Sequence, residues 1–184
     1  GTASYTVDDH AIVGTTVVGS PNSFLCTTEH YGDFILELEF MVDSLLNSGI
    51  QIRSLSLPEY QEGRVHGYQV EIDPSVRAWT GGIYDEARRG WLYTLIDNEK
   101  ARAAFRFRDW NSLHIEAIGD TIRTWLNGVP AAWTIDNLTS SGFIGLQVHS
   151  IGKDTASAGK KVRWRNIRIC TGDFDKYRIR EDMG

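Results

Sequence analysis

Cysteine is scarce in this chain of 184 residues, which holds only Cys26 and Cys170. Two cysteines are too few for a disulfide scaffold, and they lack the close spacing of metal ligands. Free cysteines are among the residues most often found buried in proteins. We therefore expect two free, buried thiols, with one disulfide between them as the alternative.

Long apolar runs are also missing. No segment approaches the roughly 18–20 consecutive apolar residues that a membrane-spanning helix needs, so we expect no transmembrane segment. The first residues, Gly1-Thr-Ala-Ser4, lack the basic and apolar regions of a signal peptide. Because Gly1 stands where a Met would begin a gene product, the sequence suggests a processed or trimmed chain from which an export signal could have been removed.

Basic residues are outnumbered, since 19 Lys and Arg against 24 Asp and Glu give a formal net charge of −5. Nucleic-acid binding normally needs a concentrated basic surface, so we expect no nucleic-acid partner and favour neutral ligands. Hydrophobic residues nevertheless make up 41% of the chain and aromatic residues 11%, which excludes a disordered protein. The length suits a single domain.

Familiar catalytic and metal-binding motifs are absent as well. The chain has no Gly-x-Ser-x-Gly elbow, no phosphate loop and no His-x-x-x-His pair. Asp73, Asp85 and His149 are the best candidates for a divalent cation, but their spacing does not indicate a metal site. We predict no metal ion and no cofactor.

What the sequence does contain is a repeated alternation of apolar and polar residues. Segment 67–73 alternates in this way, which is typical of a half-buried strand, and segments 50–53 and 146–149 repeat the pattern. We interpret the three segments as strands of one sheet that is apolar beneath and polar above. The polar side chains on its upper face are Gln51, Arg53, Gln69, Glu71, Asp73, Gln147 and His149.

The rest of the chain predicts an all-β, two-sheet antiparallel β-sandwich with little helix. About ten short strands are expected, and Asn127-Gly128 favours a type I′ hairpin turn between two of them. Only segment 97–104, capped by Asp97, predicts a helix. We assign residues 1–170 to one domain and residues 171–184 to a charged C-terminal extension. The other expected strands are 5–20, 23–27, 34–42, 82–85, 91–95, 111–118, 121–126, 129–135, 142–150 and 161–170.

A series of short motifs runs in order from about Tyr5 to Ile169. It comprises Tyr31-Gly-Asp-Phe34, Asn47-Ser-Gly49 with Arg53, Gly67-Tyr-Gln-Val-Glu-Ile-Asp73, Thr80-Gly-Gly-Ile-Tyr84, Trp110-Asn111, Leu126-Asn-Gly128, Gly145-Leu-Gln-Val-His149 and Arg165-Asn-Ile167. This series resembles the 3-keto-disaccharide hydrolase family, long known only as a domain of unknown function. The charged tail after Cys170 and the Trp-rich loop at 79–95 depart from the family pattern.

The resemblance implies a concanavalin A-like lectin/glucanase sandwich, or jelly roll, with a sugar site on a concave sheet. It also implies an extracytoplasmic bacterial protein, periplasmic or lipid-anchored, that acts on glycosides oxidised at C3. We accordingly expect a carbohydrate ligand.

Four residues of the polar face are candidates for catalysis: Glu71, His149, Arg53 and Asp73. Cleavage of a glycoside needs a proton taken from one place and delivered to another, and Glu71 and His149 offer a base and an acid whose roles could be exchanged. Arg53 is expected to pair with Glu71 or with a substrate oxygen, and Asp73 to orient these groups. The alternatives are solvated carboxylates and a structural ion pair at Arg53.

Aromatic side chains in the loops beside the polar face are expected to bind sugar, because aromatic rings pack on the apolar faces of sugar rings. The candidates for substrate binding are Trp79, Tyr84, Trp91 and Tyr93, with Gln51, Gln69 and Gln147 for hydroxyl groups and His66 at the rim. The other tryptophans, Trp110, Trp125, Trp133 and Trp164, are expected to cover the core. The remaining histidines, His10, His30 and His114, have no polar neighbours in the pattern.

Two functions fit these residues. The first is an enzyme that cleaves the glycosidic bond of 3-keto-glycosides, by hydrolysis or by elimination followed by hydration, and the second is a non-catalytic, lectin-like carbohydrate-binding module. Several titratable groups in one concavity favour chemistry over binding alone. The aglycone, the linkage and the oligomeric state are not indicated by the sequence.

Overall fold

The alternating segments become strands in the computed structural model, which describes residues 1–43 and 45–180. The strands are β1 (Ser4–Asp8), β2 (Ala11–Thr15), β3 (Ser23–Cys26), β4 (Phe34–Val42), β5 (Ser48–Leu55), β6 (His66–Ile72), β7 (Ile83–Glu86), β8 (Gly90–Tyr93), β9 (Asn111–Ile118), β10 (Thr121–Leu126), β11 (Val129–Ile135), β12 (Phe143–Val148) and β13 (Lys161–Cys170). They form a seven-stranded sheet, ordered β1-β2-β13-β4-β9-β10-β11, and a six-stranded sheet, ordered β3-β12-β5-β6-β7-β8. The predicted β-sandwich is confirmed.

The core lies between the sheets and takes every second side chain of the central strands. Phe34, Leu36, Leu38 and Phe40 of β4 are all buried there. Full burial of such a side chain contributes roughly 1.5–3 kcal/mol. Since alternation fixes both faces at once, the same burial turns the polar residues of β5, β6 and β12 outward.

The three strands predicted to carry the polar face are neighbours, in the order β12-β5-β6. Their register aligns Gly145 with Gln51, and Gln51 with Gln69. A glycine on this face leaves room for the longer side chains, because a Cβ at Gly49 would lie 2.6 Å from the side chain of Gln69. The prediction of one shared sheet is confirmed.

The predicted turn and helix are both present. Asn127 and Gly128 have φ values of +50° and +79°, as a type I′ turn requires. The helix α1 (Glu99–Ala103) lies within the predicted segment, but its cap is Asn98 rather than Asp97, since the Asn98 side chain accepts the N–H of Ala101. No helix in residues 1–43 and 45–180 is long and apolar enough to cross a membrane.

Both cysteines are free thiols, but they are not buried as expected. Cys26 is exposed on β3, which is an edge strand, and Cys170 is half-exposed at the end of β13.

The segment after β13 packs along the outer face of the seven-stranded sheet. The backbone N–H of Ile179 donates to Oε1 of Glu116 at 2.9 Å, and Nε of Arg178 lies 3.5 Å from Oε2 of the same carboxylate. The predicted extension therefore contacts the domain as far as it is described. Its last residues, 181–184, lie outside the described part of the chain.

Candidate functional site

A polar cavity of about 360 Å³ opens on the outer face of the six-stranded sheet. Strands β6, β7 and β8 supply its floor, and the loops before β3, β5 and β6 and after β6 and β12 supply its walls. The residues that line it are Asn22, Asn47, Arg64, Gln69, Glu71, Arg77, Tyr84, Glu86, Trp91 and His149.

Glu71 is the carboxylate at the centre of this group, and only 4% of its surface is exposed. Its Oε1 accepts a hydrogen bond from Nδ2 of Asn47 at 2.5 Å, and its Oε2 accepts one from Nε2 of Gln69 at 2.9 Å. Burial disfavours the charged form and raises the pKa of Glu71 to about 7, although both hydrogen bonds oppose this shift. Near neutral pH, the carboxyl group can therefore both accept and release a proton.

The predicted glutamines support Glu71 from beneath. Nε2 of Gln147 donates to Oε1 of Gln69 at 3.0 Å, and Gln69 in turn donates to Glu71. Gln51 bonds to Oγ of Ser54 at 3.0 Å instead. Because Gln51 and Gln147 have no exposed surface, they lie too deep to hold sugar hydroxyls, and Gln69 is the predicted glutamine that reaches the cavity.

Asp73 organises the loop after β6. Its Oδ2 accepts hydrogen bonds from Nε of Arg77 at 2.7 Å and from the N–H of Trp79 at 3.2 Å, and its Oδ1 accepts one from the N–H of Ser75 at 3.1 Å. Burial alone would raise the pKa of Asp73, but these hydrogen bonds outweigh it and hold the pKa below its ordinary value. Asp73 is therefore an anion that fixes Arg77 in place.

Arg77 is held on its other side by two tryptophan rings. Its guanidinium carbon lies 4.6 Å from the ring centre of Trp79 and 5.1 Å from that of Trp91, within the range of cation–π attraction. Nε is occupied by Asp73, and the terminal nitrogens form no hydrogen bond within residues 1–43 and 45–180. They are the donors that this residue presents to the cavity.

The aromatic residues predicted to lie in loops are on strands β7 and β8, except Trp79, and they divide between two faces. Trp91 meets Trp79 and Tyr84 edge to face, with ring centres 5.0 and 5.2 Å apart. Tyr84 and Trp91 line the cavity, whereas Trp79 packs behind them. A register shift aligns Trp91 with Tyr84 but Tyr93 with the buried Ile83. The expectation that Tyr93 joins this site is therefore wrong.

His149 follows β12 and lines the same cavity as Glu71, as expected. Its Nδ1 lies 2.7 Å from the carbonyl oxygen of Ser150. A carbonyl only accepts, so Nδ1 must carry the hydrogen, which leaves Nε2 to exchange a proton with a ligand. The backbone of Ser150 is itself fixed by Asn22, whose Oδ1 accepts its N–H at 2.8 Å.

Arg53 does not share this site, contrary to the expectation from alternation. It is 1% exposed, and it donates from Nε to the carbonyl of Gly32 and from Nη1 to that of Gly119, both at 2.8 Å. Its Nη2 lies 3.1 Å from Oδ1 of Asp33. The reason is a break in the strand: Arg53 has a φ of +44°, and the β5–β6 register shifts between Ile52 and Leu55.

His66 is also not at the rim of the cavity. It is 5% exposed, its ring centre lies 3.9 Å from that of Tyr60, and its Nδ1 is 2.8 Å from the carbonyl oxygen of Arg64. His66 therefore supports the preceding loop. Arg64 lines the cavity instead, with its Nη2 3.4 Å from Oε1 of Glu86.

Sequence reasoning missed five residues that line the cavity: Asn22, Asn47, Arg64, Arg77 and Glu86. The first four lie in loops, which have no periodicity, and Glu86 is the last residue of a very short strand. For two of these five residues, the sequence held a feature that could have indicated the site. Asn47 belongs to the motif with Gly49, which aligns with Glu71. Arg77 follows Asp73 by four residues across a Pro-Ser turn.

The cation candidates from the sequence do not come together. Asp85 aligns with Tyr68, a residue of the core, and its carboxylate accepts Nε of Arg88 at 2.7 Å and Nε of Arg89 at 2.6 Å. Asp73 is occupied by its own loop. Within the described residues, no group of three or more His, Cys, Asp or Glu is arranged to hold a metal ion.

A larger cavity of about 740 Å³ lies on the other sheet, beneath the C-terminal segment. His114 lies 3.0 Å from Oε1 of Glu37 and 3.2 Å from Oε1 of Glu116, so the expectation that it has no polar neighbours is wrong. Glu37 also pairs with Arg168, and Glu39 pairs with Arg165. Because these charged groups are paired with each other, this cavity is a weaker candidate for chemistry than the one around Glu71.

Solved structures with the same fold include two candidate glycosyl hydrolases from Parabacteroides distasonis. The first has a TM-score of 0.64 at 16% identity, over 92% of this chain and 83% of that one, and the second 0.63 at 19% identity, over 91% and 90%. The carbohydrate-binding module CBM66 from Bacillus subtilis has a TM-score of 0.61 at 15% identity, over 91% of both chains. At these identities, the likeness establishes the fold alone.

Sequence comparison is more specific. No curated protein matches the chain significantly. The profile of one protein family, described as the 3-keto-alpha-glucoside-1,2-lyase-like domain, matches residues 1–170. The chain therefore belongs to the family of 3-keto-alpha-glucoside-1,2-lyase-like domains, which confirms the resemblance drawn from its motifs.

Proposed function

We propose that the protein is an enzyme that removes the aglycone from 3-keto-glycosides by elimination across C1 and C2, with Glu71 as the base. One observation carries this proposal. Glu71 lines a polar cavity, and burial raises its pKa to about 7. A general base works best when its pKa lies near the working pH, and an ordinary surface glutamate does not meet this condition.

The chemistry follows from the ketone. A carbonyl at C3 makes the proton on C2 acidic, so a base can remove it and form an enolate whose charge lies on the C3 oxygen. Collapse of the enolate forms the C1–C2 double bond and breaks the bond between C1 and the glycosidic oxygen. The aglycone leaves with a proton, and water can add to the enone afterwards.

The residues around Glu71 suit the other two roles. The enolate oxygen needs a hydrogen-bond donor or a cation, and the terminal nitrogens of Arg77 supply both. This role passes to Arg77 because Arg53 is buried elsewhere. His149 supplies the proton to the leaving oxygen through Nε2, while Ser150 holds its Nδ1.

The family description supports elimination over direct hydrolysis, because a 1,2-lyase acts across C1 and C2. The Glu71 site supports the same choice. Elimination needs one base at C2, which Glu71 offers, and a positive group near O3, which Arg77 offers. It does not need a second carboxylate placed for attack on C1.

A non-catalytic carbohydrate-binding module remains the second candidate. Tyr84 and Trp91, which line the cavity and are partly exposed, favour it, because aromatic rings can bind sugars without chemistry. CBM66, which has the same fold, is a module named for binding.

Release of an aglycone separates the two functions. The chain would be incubated with p-nitrophenyl 3-keto-α-glucoside and with the unoxidised glucoside as the matched control. An enzyme of the proposed class releases p-nitrophenol from the keto compound alone, and the Glu71→Gln variant is slower by about 10²–10⁴-fold. Saturable binding of either sugar without release would favour the binding module.

A further inference from the structure

A third cavity, of about 320 Å³, lies where β8 and β11, the edge strands of the two sheets, approach each other. It shares no lining residue with the cavity around Glu71. The side chains that matter for its chemistry are Tyr93, Asn98, Arg123, Trp125 and Trp133. None of them has a role in the proposed elimination, so the cavity needs an explanation of its own.

Trp133 is the more exposed of the two tryptophans that line this cavity. We expected it to cover the core, but 55% of its surface is exposed, because its position on β11 faces outward. Its direct partner across the strand pair is Arg123. Partners of this kind have Cβ atoms about 4.5–5.5 Å apart, so the two side chains start from adjacent positions on one face of the sheet, and both line the cavity.

Arg123 has no ionic partner of its own within residues 1–43 and 45–180. The acid nearest to it in register is Glu116, directly across the β9–β10 pair. The Oε1 of Glu116 already accepts from Nε2 of His114 and from the N–H of Ile179, and Arg178 lies beside its Oε2. The guanidinium of Arg123 is therefore available to an incoming anion.

The part of the cavity lining around Asn98 is held in place by hydrogen bonds within the protein. Nδ2 of Asn98 donates to the carbonyl oxygens of Pro130 and Ala131, both at 3.0 Å, and its Oδ1 accepts the N–H of Ala101 at 3.1 Å. One amide thus ties the start of α1 to the edge strand β11. A preformed wall lowers the entropic cost of binding a ligand.

We propose that this cavity binds an acidic sugar, with a uronate ring on the face of Trp133 and its carboxylate on Arg123. Aromatic faces pack against sugar rings, and the planar guanidinium matches a carboxylate with two parallel hydrogen bonds. A neutral sugar would leave the Arg123 charge without a partner. The site is independent of the proposed elimination at Glu71.

Calorimetric titration with trigalacturonate tests the proposal, and its fully methyl-esterified form is the matched neutral probe. We expect saturable binding of the acid and at least about a tenfold weaker affinity for the ester, since the charge-assisted hydrogen bonds are lost. Trp133→Ala and Arg123→Gln should each weaken binding of the acid by about tenfold or more. The exposed Phe107 lies in the loop before β9, and Phe107→Ala should leave the affinity unchanged.

Three results would overturn the proposal. The first is no saturable binding into the millimolar range, and the second is equal affinity for acid and ester. The third is binding that is lost in Trp91→Ala but kept in Trp133→Ala, which would place the sugar in the cavity around Glu71. Aglycone release by Trp133→Ala should equal that of the parent, so failure here is distinguishable from failure of the proposed elimination.

Discussion

Oδ2 of Asp73 accepts a hydrogen bond from Nε of Arg77 at 2.7 Å, and this bond holds the guanidinium over Trp79 and Trp91. The carboxylate is 2% exposed, so it acts on a ligand through Arg77 rather than by contact. In the proposed elimination, Asp73 is accordingly a positioning residue, and Arg77 is the group assigned to the substrate.

Asp73→Asn should slow turnover without unfolding the chain. The asparagine keeps the shape and one acceptor oxygen but loses the charge, and hydrogen bonds to charged groups are worth about 1.5–3 kcal/mol. We expect kcat for a 3-keto-glycoside to fall by about tenfold to a hundredfold. Asp97→Asn, which changes an exposed acid that is not the helix cap, is the matched control. Unchanged kcat in Asp73→Asn would remove Asp73 and Arg77 from the mechanism.

Glu71 should make the protein less stable as the pH rises. Its pKa in the folded state is about 7 against an ordinary value of 4.5, so its favourable contribution is complete below about pH 4.5 and is lost as the pH rises through 7. At full ionisation, the difference corresponds to roughly 3 kcal/mol in the free energy of unfolding.

Urea denaturation of the parent and of Glu71→Gln at pH 5 and pH 8 measures this effect. The parent should lose stability relative to the variant between the two pH values. Parallel curves for the two proteins would mean that Glu71 titrates at its ordinary pKa.

Arg53→Met should destabilise the fold and leave the chemistry intact. The substitution removes three hydrogen bonds that the buried guanidinium donates, to the carbonyl groups of Gly32 and Gly119 and to Oδ1 of Asp33, and each such bond contributes about 0.5–1.5 kcal/mol, or more where the acceptor is charged. We expect a loss on the order of 3 kcal/mol in the free energy of unfolding. The kcat of the folded variant should equal that of the parent, whereas a normal melting temperature with lost activity would return Arg53 to the site.

His114 should stabilise the protein at low pH. Burial lowers the pKa of His114, but its contacts with Glu116 and Glu37 outweigh burial and raise the pKa above its ordinary value. The stability it contributes is therefore complete below about pH 6.5 and is lost as the pH rises through the raised pKa. The variant His114→Gln should melt at a lower temperature than the parent, and the difference should be larger at pH 5.5 than at pH 9. His30→Gln, at an exposed histidine, is the matched control variant.

Alternation predicted the fold because burial of every second side chain is a local rule. It placed every second residue from Phe34 to Phe40 in the core and put Gln69 and Glu71 on one outer face. It failed at Arg53, where a left-handed backbone and a register shift reverse the facing of the strand. A similar shift separates Tyr93 from Trp91. Such irregularities depend on the neighbouring strand and leave no mark on the period.

The site was only partly predictable for a different reason. The pairs of side chains that build the site are distant in sequence: Glu71 meets Asn47 across 24 residues, and Gln69 meets Gln147 across 78. Their contacts follow from strand order, which composition does not encode. Arg77 was within reach of sequence analysis, four residues after Asp73, but its loop gave no reason to prefer it to Arg53.

The most direct test of the account is proton exchange at C2, because it isolates the step assigned to Glu71. A 3-keto-glucoside deuterated at C2 would be followed by proton NMR with the parent, with Glu71→Gln, and with Glu86→Gln as a control carboxylate in the same cavity. We predict that the parent removes the C2 deuteron and forms the C1–C2 enone, that Glu86→Gln does so within about tenfold, and that Glu71→Gln is slower by about 10²–10⁴-fold. Loss of the C2 deuteron at the parental rate in Glu71→Gln would contradict the assignment of Glu71 as the base.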